Sequence, residues 1–331
     1  MGSVLHLSFR VAASLLLGSA AALPAAQAIA QEKFPARAIR VLVPWPPGGT
    51  VDIVARVIAP KMAEGLGQPM VIENRPGAGG MIATEQVARA PKDGYLLALA
   101  SATHVVTPIL PGASLNFDPL KDTEPVALIG KSANVLSVPA GSTVTNVREL
   151  IAFANARGGR FSIGHAGNGT ANHLTAEMFI RRAAIRAVLV PYKGGGPVIA
   201  DLMGGQIDMG FNQVSTVLPH IRSGKLKAVA IASQKRSTAL PAVETIGESG
   251  LGNFEAYDWY GFIAASGTPR ESIARIAQET DRALADPGVR SRLLELGAEL
   301  EGGGPQRFAD FLRSESDKWG AVVKEAGVRS D

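Results

Sequence analysis

Apolar residues along this chain switch repeatedly between two spacings. Short, nearly continuous apolar runs of the kind that form buried strands fall at 39–43, 70–73, 96–100, 126–129, 135–138, 161–164, 188–191, 207–211 and 229–232. Three-to-four spacing predicts helices over 54–66, 81–90, 147–156, 173–182, 198–203, 217–222, 273–285, 289–296 and 307–326. Several of these stop where glycine or proline punctuates them, at Gly65-Leu66-Gly67, Gly158-Gly159 and Asp286-Pro287-Gly288. Strand followed by helix, repeated this often, predicts an α/β fold of doubly wound parallel sheets. Ligands of such folds bind beyond the carboxyl ends of the strands.

The first strand runs into a distinctive loop. After Val43 come Pro44, Trp45, Pro46, Pro47, Gly48, Gly49 and Thr50. The prolines forbid further sheet pairing, and the two glycines let the backbone turn closely under whatever sits above it. A helix opening at about Val51 then aims its free N–H groups and positive dipole end into that space, where a carboxylate or phosphate binds without a cationic side chain. The other reading is a tight turn capped by Asp52. A second strand–glycine–helix junction lies about 120 residues on, at Gly164, His165, Ala166, Gly167, Asn168, Gly169 and Thr170, ahead of His173. Such turns are ordinary in α/β folds when single. Two of matching design suggest opposed helix N-termini gripping one small anion across a cleft.

Composition narrows the rest. Within the first thirty residues Arg10 is the only formal charge, the apolar run 11–23 is too short to span a bilayer, and Ala28-Ile29-Ala30 is a small-x-small cleavage pattern. Residues 1–30 therefore read as a signal peptide, with a mature chain from near Gln31 that is exported. The 33 Lys and Arg face 29 Asp and Glu; without Arg10 the surplus is +3, with no basic cluster to hold nucleic acid. The absence of cysteine excludes disulfides, thiolate catalysis and cysteinyl metal sites. No G-x-S-x-G elbow, P-loop, complete G-x-G-x-x-G or H-E-x-x-H occurs, and His104, His165, His173 and His220 lack metal-site spacing. A spatial Ser-His-Asp grouping is the one enzyme reading that spacing leaves open. Neither a cofactor nor a metal is expected.

The ordered motifs resemble the Bug family, periplasmic receptors of the tripartite tricarboxylate transporter type. They include Phe34-Pro35-Ala36-Arg37, Pro46-Pro47-Gly48-Gly49-Thr50-Val51-Asp52, Glu73-Asn74-Arg75-Pro76-Gly77, Pro91-Lys92-Asp93-Gly94-Tyr95, Gly167-Asn168-Gly169-Thr170, Val190-Pro191-Tyr192-Lys193-Gly194 and Gly204-Gly205-Gln206-Ile207-Asp208. The resemblance covers essentially all of the mature chain. It implies a type II periplasmic binding protein with two doubly wound α/β lobes and a ligand cleft between them. Residues 31–131 plus 258–331 are expected as one lobe and 132–257 as the other, with strands at 135–138 and 259–264 beside the crossovers. A ligand carboxylate is then expected at Pro47, Gly48, Gly49 and Thr50 on one side and at Gly167, Asn168, Gly169 and Thr170 on the other.

Secondary candidates follow the strand ends: Ser101, Thr103 and His104 after one, Asn212 and Gln213 after another. Position 165 departs from the family, which usually carries a small or hydroxylic residue there. His165 either contacts ligand or fills space, and Trp45 either covers the ligand or wedges against Pro46. Asp52 is expected to bond first-turn N–H groups, Arg75 to tie down its glycine loop, and Trp319 to lie in the core. Lys193 either lends positive potential to the cleft or is solvated. The expected partners are a small carboxylate and integral-membrane transporter subunits, with the receptor a monomer that does not transform its ligand. A receptor docking on a sensor kinase, or a periplasmic α/β enzyme, are the alternatives.

Overall fold

The computed structural model describes residues 33–330, so the expected signal peptide lies outside the described residues. In chain order the principal elements are β1 (Ile39–Val43), α1 (Thr50–Leu66), β2 (Met70–Asn74), α2 (Met81–Ala88), β3 (Leu96–Ala100), α3 (Thr103–Val106), α4 (Pro119–Asp122), β4 (Thr123–Pro139), α5 (Val147–Ala156), β5 (Ser162–His165) and α6 (Ala171–Arg182). There follow β6 (Val188–Pro191), α7 (Gly195–Met203), β7 (Met209–Gln213), α8 (Val214–Arg222), β8 (Leu226–Ile231), β9 (Tyr257–Ala265), α9 (Arg270–Ala285), α10 (Pro287–Glu295), β10 (Ala298–Leu300) and α11 (Pro305–Ala326). Several helices begin a turn earlier than apolar spacing places them. Their first turns are built from Thr50, Gly195-Gly196 and Arg270-Glu271, residues that carry no core-facing periodicity.

Two parallel units make the frame. β1 pairs with β2 and β3, and β5 pairs with β6 and β7. Between them the sheet is antiparallel, in the order β3-β9-β4-β7. The expected parallel pairing is found within each half, and antiparallel pairing is added between them because β4 and β9 carry the chain in opposite directions. Runs 126–129 and 135–138 are one strand of 17 residues. Gly130, Lys131, Ser132 and Asn134 break its apolar pattern, and the two longest of these side chains find partners. The Lys131 ammonium pairs with Glu301 at 3.0 Å and lies over the Tyr257 ring. Asn134 is fully buried, donating to Thr175 Oγ1 and accepting from Asn172 Nδ2. Strand 259–264 lies against residues 124–131 of β4, whereas 135–138 pairs with β7 and β8.

Burial is continuous across this junction. All nine residues of β9 are buried, as a central strand covered on both faces requires. Trp259 packs edge-on against Phe308 and Phe311 of α11, with ring centroids 5.7 and 5.6 Å apart. Trp319 is fully buried on the same helix, its indole N–H donating to Glu315 Oε2 at 2.8 Å. Gly67 ends α1 in the left-handed conformation, and the Asp286 carboxylate caps α10 by accepting from Gly288 N and Val289 N. Among the described residues no helix is long and apolar enough to cross a membrane.

Candidate functional site

A cavity of about 530 Å³ opens at the carboxyl ends of the parallel strands. Its wall is assembled from the starts of α1, α6, α7 and α8, and from the segment after β3. In α1 the N–H groups of Thr50, Val51 and Asp52 have no acceptor within the helix, as in any first turn. Gly49 caps that helix in an extended conformation with no side chain of its own. Asp52 turns inward: its carboxylate accepts from Gly48 N at 3.0 Å, Arg56 Nε at 3.0 Å and Asn74 Nδ2 at 2.9 Å. Burial works against the Asp52 charge, but these donors together hold its pKa below the ordinary carboxylate range. Asp52 thus braces the loop from behind.

Of the residues singled out in the sequence, Trp45, Pro47, Gly48, Gly49, Thr50, Ser101, Thr103, Thr170, Lys193 and Gln213 line this cavity together. Trp45 is half-buried and donates its indole N–H to Ser101 Oγ at 3.3 Å. Thr50 and Ser215 come from opposite halves, and their hydroxyls meet at 2.6 Å.

The other six candidates are absent from the lining. Gly167 and Gly169 serve the loop itself: Gly167 O accepts the Thr170 hydroxyl at 2.7 Å, and Gly169 N donates to His173 Nδ1 at 3.1 Å. A side chain at Gly169 would point at Leu110 in the core, and Asn168 between these glycines does not reach the wall. His165 is buried and stacked on His173, ring centroids 4.2 Å apart, because the strand turns that side chain inward. His104 is buried behind Thr103, 3.5 Å from Thr123 Oγ1. Burial pushes the imidazole of His104 down to about 4 and that of His173 to about 3, so both are neutral at pH 7. Asn212 is buried beside Gly195, with neither amide atom hydrogen-bonded among the described residues. Arg75 is exposed and pairs with Glu73 away from the site.

Sequence reasoning weighed Lys193 but missed the third helix start that follows it. Lys193-Gly194-Gly195-Gly196-Pro197 follows β6 and opens α7, and all five line the cavity. The signal was present, since strand, glycines and helix repeat the design of the first two loops. Ser215, Thr216, Pro219 and His220 on α8, and Asp258 at the start of β9, complete the wall. No arginine is among the lining residues.

These features meet in a known setting. Residues 54–328 match the family described as the tripartite tricarboxylate transporter family receptor. The chain belongs to that family. BugT of Bordetella pertussis is 36% identical over 305 residues, covering 91% of this chain and 93% of that one. Among solved structures, Rpa4515 of R. palustris with adipate is similar at a TM-score of 0.86 and 32% identity, covering 89% and 99% of the two chains. MatC of Rhodopseudomonas palustris with bound malate has a TM-score of 0.81 at 33% identity, covering 88% and 100%. The receptor family is periplasmic, and the fold is its two-lobed α/β binding-protein architecture.

Asp258 is the acidic side chain on the cavity wall. Its carboxylate is buried at the cavity floor, accepting from Ala102 N at 3.2 Å, Trp259 N at 3.0 Å and Gln213 Nε2 at 2.8 Å. Burial pushes its pKa up to about 6 despite these donors. A value raised above the unfolded 3.8 means that its contribution to stability is complete below pH 3.8 and is lost as pH rises through 6. In Asp258→Asn the Gln213 amide can rotate to keep its bond, so the neutral isostere fits. Between pH 4 and pH 7.5 the stability difference should shift in favour of the variant by on the order of 2 to 3 kcal/mol. Urea unfolding at the two pH values checks this; a difference that does not move with pH contradicts it.

Proposed function

We propose that the chain is a periplasmic solute receptor that binds a small carboxylate between its lobes, leaves it chemically unchanged and delivers it to a tripartite tricarboxylate-type membrane transporter. The observation that carries this reading is the convergence on one cavity of first-turn N–H groups from Thr50 and Val51, Ala171 and Asn172, and Gly195 and Gly196, with no arginine beside them. Partial positive charge from several helix starts suits an acid headgroup. The bound adipate and malate of Rpa4515 and MatC are in keeping with it. In this reading the lobes are residues 31–131 with 258–331, and 132–257; residues 1–30 direct export, and the receptor acts as a monomer.

The test is thermal unfolding of the chain from Gln31 onward with mono-, di- and tricarboxylates, each beside its neutral amide. An acid at 100 times its dissociation constant stabilises the native state by about 2.7 kcal/mol. At least one acid is expected to raise the midpoint by several degrees where its amide does not, and to be recovered intact. No shift with any acid, or an altered ligand at more than one turnover, contradicts the proposal.

A further inference from the structure

The cavity is unevenly polar. Its hydroxyls and amides stand at strand ends and helix starts, whereas the wall beyond them is mostly apolar, with His220 on α8 its one titratable side chain. Gly196, Ile199, Ala200 and Met203 lie at i, i+3, i+4 and i+7, so one face of α7 lines the cavity along its length. At 1.5 Å per residue that face runs about 10 Å from the helix start. Ile53 on α1 and Pro219 on α8 continue the apolar surface beyond the first turns of those helices. Met203 is 37% exposed at the far end of α7, one of few large apolar side chains so open to solvent.

We propose that the ligand is a monocarboxylate with an extended apolar body, an aryl- or alkyl-carboxylic acid, in preference to a short polar diacid. The inference rests on the carboxylate reading given above and adds what lies behind the carboxylate. An acid headgroup at the helix starts directs the remainder of the molecule along α7. There an apolar body packs against the already buried Ile199 and removes Met203 from water, at roughly 25 cal/mol per Å². A second carboxylate in the same place loses hydration and finds no guanidinium. The cation on the wall is Lys193, which is exposed, and the wall also carries the His220 imidazole and the Asp258 carboxyl. Pairing with an exposed lysine contributes little.

Calorimetric titration of the chain from Gln31 onward with 3-phenylpropionate, hexanoate, adipate, malate and 3-phenylpropionamide tests this. Binding of 3-phenylpropionate at least tenfold tighter than malate or adipate, with the amide undetectable, is the expected result. Met203→Ser, on an exposed position that the fold does not need, should weaken 3-phenylpropionate about fivefold and leave malate unchanged. Malate or adipate binding as tightly as 3-phenylpropionate overturns the apolar-body inference while the carboxylate reading survives, as does a Met203→Ser variant that treats all acids alike. If the amide binds as well as its acid, or if no acid binds, the carboxylate reading itself falls, and this inference with it.

Discussion

Gly48→Val should remove carboxylate binding, weakening it by more than a hundredfold, and leave the protein folded. Gly48 lines the cavity with φ of +84°, and a Cβ placed there meets nothing within 4 Å. A branched side chain then occupies the space in front of the Thr50 and Val51 N–H groups. The backbone strain of a β-branched residue at positive φ adds a stability loss of roughly 1 to 2 kcal/mol. The midpoint without ligand should therefore fall only slightly, while the ligand-induced rise disappears. Wild-type affinity in this variant would mean that the anion is held elsewhere.

Gly169→Val should do the reverse. Gly169 also has positive φ, +71°, but its Cβ would lie 2.7 Å from Leu110 Cδ1 and 3.5 Å from Val106 Cγ1. The nearest obstacles are ends of flexible side chains, so the core can yield at a cost. Overpacking and backbone strain together come to roughly 2 to 4 kcal/mol. Urea unfolding should show that loss, and the protein that remains folded should keep its ligand-induced midpoint shift. A variant of wild-type stability that no longer binds would place Gly169 on the cavity wall after all.

The two glycines mark what a sequence can and cannot convey. That each position needs glycine was legible from the strand-to-helix junctions, but which way the missing side chain would point was not. Direction depends on neighbours such as Leu110, nearly sixty residues away in the chain. The loop after Val43 was readable because a buried strand, three prolines and a helix start follow one another within a dozen residues. Thr50 meeting Ser215, and Asp258 bonding Ala102, are long-range contacts that local patterning does not encode. His165 sits at a strand end where ligands often bind, yet the pleat turns it inward onto His173. β4 was divided in two because Lys131, Ser132 and Asn134 imitate a turn, and only the long-range partners of Lys131 and Asn134 explain why the strand runs on.

The pairing of β4 and β9 also governs the order of folding. Ala98 of β3 finds its partner at Ile263, and Ser132 finds one at Ala298. The first half, begun at residue 39, thus remains an unfinished sheet until more than two hundred further residues are available. Contacts this distant in the chain slow folding, and they leave the apolar edge of β3 unpaired in every shorter intermediate. The second half, with β5 to β8 close in sequence, can consolidate first and serve as the template on which the terminal segments close.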